Sequence, residues 1–244
     1  MSGIQSCFKR YEKKYLLTEA QYEAMRLGMA AYMKPDEHPR YSISNIYYDT
    51  EHHDLIRASL EKPIYKEKLR VRSYGVPGDG DNAFVEIKKK FDGVVYKRRV
   101  TVTAAEAAQW LQGGEAPSDS QISREIEWFL RRYRPVPAVY IAYDREAYAG
   151  RENGELRVTF DRNLRWRDRD IDLRCGEGCR PIDTGGQILM EIKIPGAAPL
   201  WLARLLSENR IVSTSFSKYG AYYKQNILTQ TNIETNHKEA RSIA

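Results

Sequence analysis

The chain has 244 residues, 30% of them charged, and a formal net charge of +6. That length holds one large domain with a real core, and the basic excess, concentrated in short alternating runs, points to a polyanionic partner and away from a uniformly adhesive surface. No run of roughly 18 apolar residues is present to span a membrane, the N-terminus has no signal-peptide apolar core, and three cysteines (Cys7, Cys175, Cys179) are too few for a disulfide framework or a four-ligand zinc site. The expectation is a soluble cytoplasmic protein with a single domain over 1–228 and a flexible tail over 229–244.

In chain order, FKRYEKKYLL alternates with period two and reads as a strand. Thr18 with Gln21 then forms a capping box that opens a helix over TEAQYEAMRLGMAAYM. SISNIYYDT and YKEKLRVRSY are the next strands. His52 and His53 between them read as surface residues near a helix start, because adjacent side chains point apart. YGVPGDGDNA is a polar, Gly-rich loop. AFVEIKKKF and VVYKRRVTV flank Asp92-Gly93, the dipeptide best suited to the positive φ angles of a tight hairpin, so these arms are antiparallel neighbours.

Helices follow at AAEAAQWLQ and, from a Ser120 cap, at SQISREIEWFLRRY, whose Ile122, Ile126, Phe129 and Leu130 make a packing stripe. Strands resume with AVYIAYDREAY, ELRVTFDRNL and QILMEIKI, and RWRDRDIDLR reads as a solvated edge or loop. PLWLARLLSEN is a further helix, Ser217 in SFSKYG caps a closing one, and Trp110, Trp128 and Trp201 read as helix anchors in the core. The fold class is α+β: a mainly antiparallel β tunnel, a closed barrel of about eight strands, with helices packed on its outside.

The basic strands carry their charge on one face. Lys66, Lys68, Arg70 and Arg72 alternate with Leu69 and Val71, Lys88 and Lys90 with Val85 and Ile87, and Glu191 and Lys193 with Met190, Ile192 and Ile194. If helices cover the apolar faces, the charged faces look inward in a closed barrel. Such crowding costs roughly several kcal/mol when nothing fills it and becomes stable around a polyanion. Four cations at alternate positions span on the order of 20 Å, the reach of an extended anion. Glu12, Glu86 and Glu191 are interleaved sparsely, as carboxylates that could anchor a divalent ion would be. In YKRRV the alternation turns Lys97 and Arg99 inward and Arg98 outward with Val100 and Val102. The aromatics, mostly Tyr, are not laid out as a stacking platform, which argues against nucleic acid.

From about Phe8 to about Tyr223 the ordered set FKRYEKKYLL, SNIYYDT, KLRVRSYG, FVEIKKKFDGVVYKRR, YDREAY, LRVTFDRNL, LMEIKI and SFSKYG resembles the triphosphate tunnel metalloenzymes, or CYTH-like proteins, and within them the catalytic domain of the VTC polyphosphate polymerases. The resemblance implies catalytic contacts from Lys14, Arg70, Arg72, Lys88, Arg145 and Lys218, and phosphate binding by Arg10, Lys68, Lys90, Lys97, Arg99 and Lys193. It implies a Mn²⁺ or Mg²⁺ ion on Glu191 with Glu12, with Asp161 a secondary candidate beside Arg157 and Thr159. The hydrolase and cyclase branches open on a Glu, Glu, Lys strand, whereas here Arg10, Glu12 and Lys14 stand, as in the polymerase branch. The implied function is transfer of the ATP γ-phosphate to phosphate or a growing inorganic polyphosphate chain, with ATP and inorganic polyphosphate or pyrophosphate as partners. A triphosphate hydrolase and a non-catalytic polyphosphate sensor are the alternatives, and a membrane partner protein would supply any membrane role.

Overall fold

The computed structural model describes residues 10–92 and 94–229. In chain order these form β1 (Arg10–Leu17), α1 (Glu19–Gly28), β2 (Met33–Asp49), α2 (Asp54–Leu60), β3 (Tyr65–Tyr74), β4 (Asn82–Phe91), β5 (Val94–Thr103), α3 (Ala104–Leu111) and α4 (Gln121–Tyr133). They continue with β6 (Val136–Gly150), β7 (Arg157–Arg167), β8 (Arg180–Pro181), β9 (Ile188–Pro195), α5 (Leu200–Glu208), α6 (Lys218–Tyr222) and a π-helical turn (Tyr223–Leu228). The expected tail lies almost wholly outside the described residues, as do Cys7 and Gly93.

The hydrogen-bonded strand order is β1-β9-β7-β6-β2-β3-β4-β5, with the two-residue β8 added to β7. This is the antiparallel, sheet-rich α+β fold that the alternation calls for, with eight strands in the main path. The path has two ends, β1 and β5, so among the described residues hydrogen bonds do not complete the expected closed barrel. The β5 end has the character of an edge strand: Lys97 and Arg99 stand exposed along it, and charge of this kind discourages further strand pairing.

The chain divides into two compact units. The first comprises 10–42, 143–163 and 184–216; the second comprises 43–142, 164–183 and 217–229. In the first, β1 and β9 pair antiparallel from Arg10 opposite Pro195 to Leu17 opposite Ile188, and β9 pairs with β7 so that Thr159 lies opposite Glu191. One face of these strands, Tyr15, Leu17, Val158, Phe160, Met190 and Ile192, is buried beneath Tyr22 and Met25 of α1 and Leu202 of α5. The Thr18 capping box that starts α1 is formed as expected.

In the second unit β2, β3, β4 and β5 make an antiparallel run. Leu69, Val71, Val85, Ile87 and Val102 bury against Trp110 of α3 and Ile126 and Phe129 of α4, so the helix-facing side of the run is apolar along its whole middle. At ~25 cal/mol per Å² this burial holds the strands in register, because a one-residue slip would turn every Leu and Val of β3 to solvent and every Lys and Arg into the core. Asp92, with φ 43°, makes the tight turn between β4 and β5 that Asp92-Gly93 predicts.

α2 begins directly after His53, at the helix start read there from the sequence. His53 precedes it with φ 58° and gives no side-chain cap. The cap comes from Asp49, whose Oδ1 accepts from Leu55 N–H at 2.9 Å and whose Oδ2 accepts from Ile56 N–H at 3.0 Å.

Three further expectations change. His53 is not a simple surface residue: it is half-buried, with Nδ1 3.1 Å from the Tyr219 hydroxyl and its ring 5.5 Å from that of Tyr223. Arg167, read as part of a solvated edge or loop, is buried because its guanidinium closes the following loop, donating to the carbonyls of Asp172 and Glu177 and to Cys175 Sγ, over the Tyr140 ring. Trp110 is a core anchor at 1% exposure, but Trp128 is 49% exposed on the outer side of α4, and Trp201 is half-buried and stacks on Tyr32 with centroids 4.4 Å apart.

Candidate functional site

Each unit presents a charged sheet face opposite its helix-covered one. In the first unit, register places Glu12 opposite Lys193, Lys14 opposite Glu191, and Arg157 and Thr159 opposite Lys193 and Glu191 on the other side of β9. Directly opposed residues share a face, so alternation alone collects these groups. Arg10 stands one step further out, opposite Pro195.

At the centre lies Glu191, 8% exposed. Its Oε1 is 3.3 Å from Lys14 Nζ, and its Oε2 accepts from Arg145 Nη2 at 3.1 Å. Lys14 Nζ also lies 3.8 Å from Glu12 and donates to the Phe216 carbonyl at 3.1 Å. Arg145 makes a two-pronged pair with Asp161, Nε to Oδ1 at 2.6 Å and Nη2 to Oδ2 at 2.8 Å, and Asp161 is fully buried. The planar guanidinium suits this fork, which no lysine could match.

Among the described residues no group of three His, Cys, Asp or Glu is placed to hold a metal. Asp161 is engaged by Arg145, and Lys14 lies between Glu12 and Glu191. The donors present therefore fit an ion of magnesium type, which takes one or two carboxylates and completes its shell with phosphate oxygens and water. They do not fit a cage made by protein alone.

In the second unit the basic face is a ladder. Across β3, β4 and β5, Lys68 lies opposite Lys88 and Lys88 opposite Lys97; Lys66 lies opposite Lys90; Arg70 lies opposite Glu86 and Glu86 opposite Arg99. Like charges directly opposed across strands are unfavourable, and the strain registers on Lys66, whose ammonium is lowered by partial burial and then by Lys90, Lys88 and Lys62.

Glu86 relieves one end of this ladder. It is 1% exposed, accepts from Arg70 Nε at 2.8 Å, and lies 2.7 Å from Lys97 Nζ. Burial alone would raise its carboxyl, but Arg70, Arg72 and Lys97 overcome that and hold it down to about 2. Lys97 is pulled down to about 8 by desolvation, against the attraction of Glu86 and with Arg72 and Arg70 adding repulsion. Arg98 faces the other way and pairs with Glu125 of α4 at 2.5 Å, as the alternation predicts, while Arg99 lies over the Phe84 ring.

Lys218 opens α6, 7% exposed, with Ser217 capping the helix through Gly220 N–H. Lys68 Nζ reaches Ser217 Oγ at 3.5 Å. Tyr219 ties α6 down: its hydroxyl donates to Asp49 Oδ2 at 2.8 Å, and its ring stacks on Tyr47.

β2 contributes two residues to this face that the charge pattern passed over. Asn45 Oδ1 accepts from Arg72 Nε at 3.2 Å, and the Tyr47 hydroxyl accepts from Arg70 Nη1 at 3.3 Å. The signal for both was present in the alternation of SISNIYYDT, which puts Asn45, Tyr47 and Asp49 on one side; without the β2–β3 register it does not say which strand they meet.

The VTC domain family model matches residues 9–226. Vacuolar transporter chaperone complex subunit 4 of Schizosaccharomyces pombe is 26% identical over 214 residues, a match covering 75% of this chain and 30% of that protein. The chain thus spans less than a third of that relative's length. Among solved structures, a protein from Bacillus halodurans provisionally assigned as an adenylate cyclase superposes with a TM-score of 0.53 at 13% identity, over 84% of this chain and 92% of the other. At that identity the likeness shows the fold.

Proposed function

This chain belongs to the VTC domain family, and from that premise we propose that it is a metal-dependent polyphosphate polymerase that transfers the ATP γ-phosphate to phosphate or a growing inorganic polyphosphate chain. The observation that carries the reading is the lysine ladder Lys66–Lys90 and Lys68–Lys88–Lys97. It aligns like charges by backbone register, at a cost that a row of phosphates would turn into attraction.

In the proposed reaction a terminal phosphate oxygen of the acceptor attacks the γ-phosphorus. The bond from that phosphorus to the β–γ bridging oxygen breaks, and ADP leaves with the electron pair. The attacking oxygen is already ionised at neutral pH, so no strong general base is required. In the second unit Arg70, Arg72, Lys88 and Lys218 are assigned to phosphoryl oxygens, where fixed cations stabilise the charge that spreads in the transition state; in the first, Lys14 and Arg145 are assigned to phosphate oxygens. Arg10, Lys68, Lys90, Lys97, Arg99 and Lys193 are assigned to binding. Glu191 and Glu12 are the residues that would hold Mn²⁺ or Mg²⁺, which would supply positive charge against the charge developing on the phosphates. Lys14 pairs with both carboxylates, 3.8 Å from Glu12 and 3.3 Å from Glu191, and is assigned to a phosphate contact beside them.

No helix among the described residues is long and apolar enough to cross a membrane. The relative's name makes it a subunit of a complex, and we extend to this chain the proposal of a protein partner and a cytoplasmic site of action.

The test is incubation of the purified protein with ATP and Mn²⁺ or Mg²⁺, with products resolved by gel and by phosphorus NMR. Growing chains with release of ADP, lost in Lys218→Ala and Glu191→Ala, are expected. Only ADP and free phosphate would make it a hydrolase. Intact ATP with retained polyphosphate binding would make it a receptor.

A further inference from the structure

Tyr47 is an uncharged residue on the basic face of the second unit. It lies opposite Arg70 in the β2–β3 register, on the face that carries Arg72 and Lys68, and it is 9% exposed. The Arg70 guanidinium donates into its hydroxyl oxygen at 3.3 Å and lies 5.9 Å from its ring centroid. Its ring stacks on Tyr219 at 5.3 Å and 27°, next to Lys218, and Asp49, Lys68 and Tyr219 line the same small cavity. A phenol packed this way has its rotamer locked by Tyr219 and its oxygen fixed by Arg70.

We propose that Tyr47 is a substrate-contacting residue: its neutral phenol donates a hydrogen bond to a phosphoryl oxygen that Arg70 and Lys218 also hold. The inference rests on the reading of this face as a phosphate site and adds to it the one group there whose contact is lost when it ionises. Arginine and lysine attract the anion at any pH at which they are charged. A phenol attracts it only while protonated, because a phenolate has no proton to give and repels phosphate.

The surroundings bring that change toward the working range. Burial alone would raise the Tyr47 phenol, but Arg70, Lys218 and Arg72 overcome it and hold the group below its ordinary value. The groups facing it are Arg70, Arg72 and Lys68 from β3, Lys218 and Tyr219 from α6, and Asp49 from its own strand. A bound phosphate offsets the same cations and returns the phenol toward its neutral form, so anion binding above neutral pH takes up a proton at Tyr47.

The experiment measures tripolyphosphate affinity by calorimetry from pH 6.5 to 10 for the wild type and Tyr47→Phe. Near pH 7 the variant should bind about tenfold more weakly, the ordinary worth of a hydrogen bond to a charged acceptor. As pH rises the wild-type advantage should shrink by about tenfold per pH unit once the free phenol ionises, and reverse about one unit above that point. Lys97 also titrates in this range but is present in both proteins and cancels in the ratio. Replacing Tyr47 with a ring-fluorinated tyrosine, whose phenol is more acidic, should move the crossover to lower pH with no change of shape.

A ratio of affinities that stays constant across pH, or equals one at pH 7, would overturn the proposal, as would a crossover indifferent to fluorination. A wild type that does not bind tripolyphosphate at any pH would instead remove the phosphate reading of the whole face.

Discussion

Glu86 shows how much one buried acid does among cations. It is the only carboxylate that the β3–β4–β5 register sets on the basic face among the described residues, and it neutralises Arg70 and Lys97 directly. Its folded carboxyl lies near 2, below the ordinary value of 4.5. A group depressed in this way contributes stability that is fully present above the unfolded value and lost as pH falls from about 4.5 to about 2, on the order of 3 kcal/mol in all. Urea unfolding of the wild type should therefore show a steep loss of stability across that window. In Glu86→Gln the slope should flatten and the protein should be less stable at pH 7, because Arg70, Arg72 and Lys97 are left facing one another. An unchanged acid slope in the variant would mean that the carboxylate is not ion-paired as described.

At the scale of elements, α6 is five residues long and cannot hold itself together. Contacts from neighbouring residues fix it, among them the Ser217 cap, the Tyr219 bond to Asp49, and the stack of Tyr219 on Tyr47. Asp49 at the same time caps α2, so one buried carboxylate sets two helices and, through them, the position of Lys218. Tyr219→Phe keeps the stack and removes the bond. It should cost about 1–3 kcal/mol for the acceptor left behind and raise KM for ATP through looser placement of Lys218, whereas Ser217→Ala should cost about 1 kcal/mol. Thermal melts and steady-state kinetics separate the two effects. A Tyr219→Phe protein with wild-type melting and KM would show that α6 is held by packing alone.

For the molecule as a whole, the net charge of +6 is not spread as an even coat but gathered on sheet faces. Self-repulsion of this kind lowers the stability of the free protein and makes it depend on counter-ions. Tripolyphosphate should raise the melting temperature in proportion to the logarithm of its concentration above Kd, and the rise should diminish as NaCl goes from about 50 to about 500 mM and the Debye length contracts. A stabilisation independent of salt would point to an apolar ligand contact in place of an ionic one.

The strands and most helices were legible in the sequence because each is a local pattern. Period-two alternation in KEKLRVRSY and MEIKI placed Lys68, Arg70, Arg72, Glu191 and Lys193 on charged faces, and the same rule turned Arg98 toward α4 and Lys97 away from it. The Thr18, Ser120 and Ser217 caps declared their helices within three residues.

What local pattern could not carry was any interaction closed over a long loop. The capping of α2 by Asp49, the bond from Tyr219 back to Asp49, the burial of Arg167 under its own loop and the commitment of Arg145 to Asp161 all depend on which distant backbone lies alongside. A charge pattern reports the face a side chain takes; only tertiary register decides which acid it meets there. The sequence by itself therefore determined which residues form the charged faces, because alternation is a property of one strand. Pairing between strands decided which of those charges meet Glu86, Asp161 and Glu191, because an acid and its cation come from different strands.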